Sequence, residues 1–185
     1  YQLLTTHYFA RDLHVPTLGV YAACATSSLA IGTASLLVQQ GMAAHALAFT
    51  SSHNAAAERQ FRFPNEYGVQ KKETTTTTVS GAGSIVLGRT PQPIAVRAFT
   101  LGRIIDWHHQ NASDMGIAMA PAALDTLHAH LAQTNSTIDD YDWILTGDLS
   151  KAGFGFLCDL LSQEGIHADS RFNDCGLMIY DVSRQ

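Results

Sequence analysis

Cysteine is scarce in this sequence: Cys24, Cys158 and Cys175 are the three present among 185 residues. They are too few and too scattered for a disulfide framework, and no CxxC pair offers the start of a zinc site. Reduced thiols in a cytosolic compartment are the simplest reading. Charge is scarce as well. Charged residues make up 15 %, the formal net charge is -5, and no Lys/Arg run occurs. A general nucleic-acid binder needs basic patches that release counterions, so the balance argues against one. Lipid-facing runs are missing too. The most apolar stretch, Val20 to Val38, is broken by Thr26, Ser27, Ser28, Thr33 and Ser35 and reads as a buried helix. We read no signal peptide, amphipathic anchor or lipidation site. An initial methionine is also lacking. The chain opens at Tyr1 inside a helical pattern and stops at Gln185 just after an expected strand, which suggests a piece of a longer protein.

What is abundant is apolar surface. Hydrophobic residues reach 46 %, so wide buried surfaces are expected, within the fold or against more protein. Tyr1 to Leu13 reads as a helix closed by His14-Val15-Pro16. Thr17 to Ala22 reads as a short buried strand, Ser27 to Gln40 as a helix ending at Gly41, and Ala44 to Ser51 as a second apolar strand. A helix between short buried strands suggests a parallel βαβ unit. His53 to Thr74 mixes charge, aromatics and one proline without a clean period, and reads as a loop. Thr74 to Leu87, five threonines followed by VSGAGSIVLG, reads as extended.

Thr90 to Pro93 is the best internal boundary, dividing 1–90 from 91–185. Beyond it, Ile94 to Ile105 reads as a strand region and Ser113 to Gln133 as helix, with a break or new start expected at Pro121. Tyr141 to Thr146 is an expected buried strand, Leu149 to Glu164 a helix closed by Gly165, and Gly176 to Asp181 a final strand. Alternating strands and helices in both halves give an α/β class with mixed, mostly buried sheets.

Four features can carry chemistry. Cys24 stands where a strand is expected to end and a helix to begin, among Ala22, Ala23 and Ala25. A thiol there meets the unpaired N–H groups and dipole of a helix start, which favour a nucleophilic thiolate. The alternative is that a cysteine among alanines is a small buried hydrophobe. His53 follows an expected strand, at the edge where α/β sheets collect ligands, or is an ordinary loop histidine. Arg59 and Arg62, interleaved with Phe61 and Phe63, suit a planar dianion because guanidinium forks grip carboxylates and rings stack. They equally suit a loop pinned by Glu58 or Glu66. The turn TGDLS, Thr146 to Ser150, is either a backbone anion nest or a turn capped by Asp148 or Ser150. His108, His109, His128 and His130 lack metal-site spacing and are expected on solvated surface.

Together these residues resemble the thiolase superfamily. GVYAACATSSLAIGTASLLVQQGMAAHALAFTSS is similar to the segment in which a nucleophilic cysteine caps a central helix, with Cys24 at that position. Within the superfamily, TSSHNAAAERQFRFPNEYG, VSGAGSIVLGRT, MGIAMAPAALDTLHAH, DDYDWILTGDLS and NDCGLMIYD resemble the stage V sporulation protein AD family, in its order and over nearly the whole chain. The ERQFRFP loop with the TGDL turn is the most specific part.

The resemblance implies a thiolase-like layered α-β-α-β-α fold, present as a fragment lacking both ends. Residues 1–90 would be the later part of the N-terminal half and 91–185 the earlier part of the C-terminal half. It also implies a non-catalytic sporulation protein that binds dipicolinic acid for uptake into the forespore. From the residues' own chemistry, a planar dicarboxylate needs an apolar slot and positive partners, so Cys24, His53, Arg59, Arg62, Gly147 and Asp148 are expected to line the ligand site. Condensing enzymes of the synthase type carry a histidine and an asparagine on this turn; here those positions look like Gly147 and Ser150. Cys24 then holds a nucleophile's place without its partner. The alternative implied is a cysteine-dependent acyltransferase or condensing enzyme. No cofactor and no protein metal site are expected, calcium arriving as the ligand's counterion. The expected partners are other proteins of the spore dipicolinate channel and a second copy of the chain. The expected location is peripheral, on the cytoplasmic side of the spore inner membrane, through those partners.

Overall fold

The computed structural model describes residues 5–53, 74, 76, 79–111 and 114–179. It divides into two compact units, one formed by the described residues of Tyr1–Arg62 and Val79–Arg97, the other by those of Phe63–Thr78 and Ala98–Gln185. The class is mixed α/β, with two small sheets.

The first unit contains α1 (Thr5–Leu13), α2 (Thr26–Gln39), β1 (His45–Ser52) and β2 (Gly81–Gly88). Helix α2 packs on β1 and turns its small residues inward: Gly32, Ala34 and Val38 are buried, as is Ala48 of β1. Small side chains let helix and strand approach closely. The helix closes at Gly41, whose φ of 75° suits glycine. The Met42 N–H reaches back to the Leu37 carbonyl at 2.9 Å and the Gly41 N–H to that of Val38 at 3.1 Å. Arg89, just past β2, donates to the Val38 and Gln39 carbonyls at 2.9 and 2.8 Å, placing a cation on the negative end of the helix.

Strands β1 and β2 pair antiparallel from His45↔Gly88 to Ser52↔Gly81. The parallel βαβ unit expected around α2 is therefore not formed. Thr17–Ala22 lies in no ladder and is largely exposed, apart from the 3-10 turn at its edge. A strand exists only where a neighbour accepts its N–H groups, and composition does not supply that neighbour. The sheet is also more open than expected: Val86 is 67 % exposed and β2 is exposed along most of its length. Of the threonine run, Thr74 lies in a turn and Thr75, Thr77 and Thr78 lie outside the described residues.

The second unit contains α3 (Met115–Thr134), β3 (Ile144–Thr146), α4 (Ser150–Gln163), β4 (Phe172–Asp174) and α5 (Cys175–Ile179). Here the parallel unit does occur: β3 pairs with β4, Ile144↔Phe172 to Thr146↔Asp174, with α4 as the crossover. The core comprises Ala120, Leu149, Leu157, Leu161 and Phe172, flanked by Met119, Leu124, Ile144 and Ile166. Helix α3 starts at Asp114, whose buried side chain accepts from the Ile117 N–H at 3.2 Å. It runs unbroken through Pro121, where a break was expected. The ring is buried and costs the helix one N–H, but the turns on both sides stay packed against α4. Ile94–Ile105 forms no strand; Ile104 is 97 % exposed and no described strand borders it. Of the expected strand Gly176–Asp181, residues 180 and 181 lie outside the described residues, and Gly176–Ile179 is not a strand. The described part is helix α5, because Asp174 caps it.

Helices α3 and α4 meet backbone to backbone. A Cβ on Gly153 would stand 2.6 Å from the Gly116 Cα, and one on Gly116 would overlap the backbone carbonyl oxygen of Leu149. Neither atom can move away without shifting a helix. Gly153→Ala should destabilise the second unit by at least about 2 kcal/mol, whereas Gly155→Ala, where a Cβ meets open space, should be neutral or slightly stabilising. Urea unfolding of the full-length protein checks the contrast.

Candidate functional site

The turn between β3 and α4 is held from beneath by one buried carboxylate. Asp174, 1 % exposed, ends β4. Its Oδ2 accepts from the Leu149 N–H at 2.8 Å and the Thr146 hydroxyl at 2.6 Å. Its Oδ1 accepts from the Gly176 and Leu177 N–H groups at 2.9 and 3.2 Å, capping α5. Each oxygen thus accepts two hydrogen bonds, and such a set of donors offsets the cost of burying a carboxylate.

Above this floor the chain bends twice into the left-handed region, at Asp148 (φ 51°) and Ser150 (φ 63°). Of the two caps expected, Ser150 is one: its Oγ accepts from the Gly153 N–H at 3.3 Å. The Asp148 carboxyl leans over Gly176, where a Cβ would lie 2.8 Å from its Cγ. Gly147 precedes it and carries no side chain. Next to these carboxylates stands Cys175. Burial, then the charges of Asp174 and Asp148, push its thiol above the ordinary range. Thiols held protonated are poor nucleophiles.

In the first unit, Cys24 lies in a 3-10 turn, Ala23–Ala25, ahead of α2. Thr26 fixes that turn: its Oγ1 accepts from the Ala22 N–H at 3.0 Å and donates to the Ala23 carbonyl at 2.7 Å. Ala23 takes φ 47°, so the bend is tight. Cys24 is exposed, and no strand leads into it, contrary to expectation. His53 is exposed and directly follows β1. Cys24 and His53 therefore belong to one unit, Gly147 and Asp148 to the other, and Arg59 and Arg62 lie outside the described residues. Among the described residues, no group of three or more His, Cys, Asp or Glu could hold a metal ion, and no helix is long and apolar enough to cross a membrane.

Sequence reasoning passed over Asp174, although an Asp ahead of a small-residue helix start is a capping signal. Its second pair of bonds, to a turn 25 residues away in sequence, has no local signature. The histidines divide. His108 is exposed as expected, and His128 meets Glu164 at 2.8 Å. His130 is a correction: it is part-buried and bonded through both ring nitrogens.

The model of the family described as Stage V sporulation protein AD (SpoVAD) matches residues 1–185. The chain belongs to the stage V sporulation protein AD family. It is 48 % identical over 184 residues to stage V sporulation protein AD of Bacillus subtilis (strain 168), covering 100 % of this chain and 54 % of that protein. The chain thus spans about half the length of that curated relative.

Two outcomes follow from the geometry. Asp174→Asn must aim an NH2 at two donors, at one end or the other, and should cost about 3 kcal/mol in urea unfolding. Asp148→Asn removes one of the charges raising the Cys175 thiol, so its alkylation at a fixed mildly alkaline pH should speed up by a few fold, read by mass spectrometry of the Cys175 peptide.

Proposed function

We propose that this chain is part of a non-catalytic, thiolase-like layered α-β-α-β-α protein that binds dipicolinic acid for its uptake into the forespore. The observation carrying this reading is the Thr146–Ser150 turn. Gly147 has no side chain to move a proton. Ser150 gives its Oγ to the Gly153 N–H. Asp148 would oppose a developing oxyanion rather than stabilise it. The turn has a fixed shape and no general acid or base in the position where synthase-type relatives carry one, which supports holding a guest without transforming it.

In this reading the α2 start around Cys24 and the aromatics Phe61 and Phe63 line a slot for the pyridine ring. Arg59 and Arg62 grip the two carboxylates, and His53 supplies a third donor. Calcium enters as counterion of the ligand. A homodimer and the other proteins of the dipicolinate channel complete the assembly, which places the protein at the cytoplasmic face of the spore inner membrane. The family's place in sporulation supports the setting.

One observation favours a second reading, an acyltransferase using Cys24 as acyl acceptor: the cysteine is exposed on a tight turn before a helix. Calorimetry and alkylation of the full-length protein separate the two. A binder should show dipicolinate affinity that survives Cys24→Ala and falls at least tenfold in Arg59→Ala or Arg62→Ala, with slow modification of Cys24 by iodoacetamide near neutral pH. Fast, selective modification of Cys24 together with an acyl adduct that turns over would establish the enzyme instead. Absence of dipicolinate affinity would overturn the binding reading.

A further inference from the structure

In the second unit a chain of side-chain hydrogen bonds runs through five residues and ends on the main chain. Thr134 Oγ1 lies 2.7 Å from the His130 carbonyl oxygen and 2.6 Å from Ser136 Oγ. Ser136 Oγ lies 2.9 Å from the Tyr141 hydroxyl. That hydroxyl lies 2.9 Å from His130 Nε2, and Thr100 Oγ1 lies 2.9 Å from His130 Nδ1. All five residues are part-buried.

The direction of every bond follows from the last one. A carbonyl only accepts, so Thr134 uses its single proton on the His130 carbonyl. Ser136 must then donate to Thr134, and Tyr141 must donate to Ser136. The Tyr141 oxygen is left as an acceptor, so His130 Nε2 must carry a proton. In the neutral ring Nδ1 is then unprotonated and accepts from Thr100. Reversing any link would aim a proton at a donor. We infer that Thr100, His130, Tyr141, Ser136 and Thr134 form one polarised relay that sets His130 in its Nε2–H tautomer and latches segment 98–107 onto the last turns of α3.

The latch reading rests on what else holds that segment. It has no regular secondary structure, and its last residue, Trp107, meets Phe156 of α4 edge-on with ring centroids 6.4 Å apart. Gly102 lies against α3 so closely that a Cβ would stand 2.6 Å from the Thr126 Oγ1. Arg103 forks onto Asp125 at 2.6 to 3.2 Å, in the open. Exposed ion pairs hold weakly. The Thr100–His130 bond is part-buried, and the relay fixes its acceptor.

The test uses full-length protein with 15N-labelled histidine at about pH 9, where histidine is ordinarily neutral. The His130 signals are assigned by their loss in His130→Gln. In the wild type, Nε2 should resonate as a protonated nitrogen and Nδ1 as an unprotonated one. Thr134→Ser keeps the terminal donor and should keep this pattern. Thr134→Val removes it, lets Tyr141 donate to the ring, and should move both nitrogens toward exchange-averaged values. Thr100→Val should raise amide hydrogen exchange across 98–107 by several fold. A protonated Nδ1 in the wild type would overturn the relay, as would a tautomer untouched in both Thr134→Val and Tyr141→Phe. Unchanged exchange in Thr100→Val would overturn the latch.

Discussion

The carboxylate of Asp174 receives its four hydrogen bonds from two separate turns: Thr146 and Leu149 on one side, Gly176 and Leu177 on the other. Removing such a charge from water costs several kcal/mol, and only a full set of donors offsets it. The cost has a structural return. Strands β3 and β4 are three residues each, too short to stand as an isolated pair. The carboxylate crosslinks their C-terminal ends and fixes where α4 and α5 begin. Leu149, whose N–H it holds, is itself a core residue, so the polar staple and the apolar core are joined at one peptide unit.

The Gly116–Gly153 contact is the second constraint, and it acts on the same turn. Because α3 and α4 touch through bare backbone, Leu149 and Ser150 are pressed against the start of α3. The chain between Thr146 and Ser150 must rise out of the strand and enter the helix in very little space. It does so through two left-handed non-glycine residues, Asp148 and Ser150. Each costs of order 1 kcal/mol or more. Asp tolerates this region well and Ser less so. The Gly153 N–H on Ser150 and the Asp174 bonds help keep the bend in place.

Elements with a strong local signal were legible in the sequence. Helix α2 and its Gly41 stop, helix α4 and its Gly165 stop, and the position of β1 all follow from period and punctuation, because those features act within a few residues. What failed was what depends on a neighbour. Thr17–Ala22 and Ile94–Ile105 are rich in strand-forming residues but have no ladder among the described residues. Pro121 obeys packing rather than its own breaking tendency. Gly176–Asp181 reads as a strand by composition, yet Asp174 caps a helix there. At the candidate site, the turn and its cap by Ser150 were visible, while the buried partner was not, since nothing near Asp174 in sequence announces a bond to Leu149.

The same division bears on the proposed ligand. A dicarboxylate needs guanidiniums whose donors are not already engaged. Arg89 has two of its donors on the end of α2. Arg103 is forked onto Asp125, Arg11 meets Asp12, and Arg171 is shared between Asp169 and Asp139. These four described arginines are tied to carbonyls or carboxylates, and releasing them would undo a helix end or an ion pair; Arg97, the exposed last residue of the first unit, is the fifth described arginine and has no such tie among the described residues. Arg59 and Arg62 lie on the ERQFRFP stretch that carries the most specific resemblance to the family. The proposal places the anion-gripping role there, on residues other than the four cations tied within each unit.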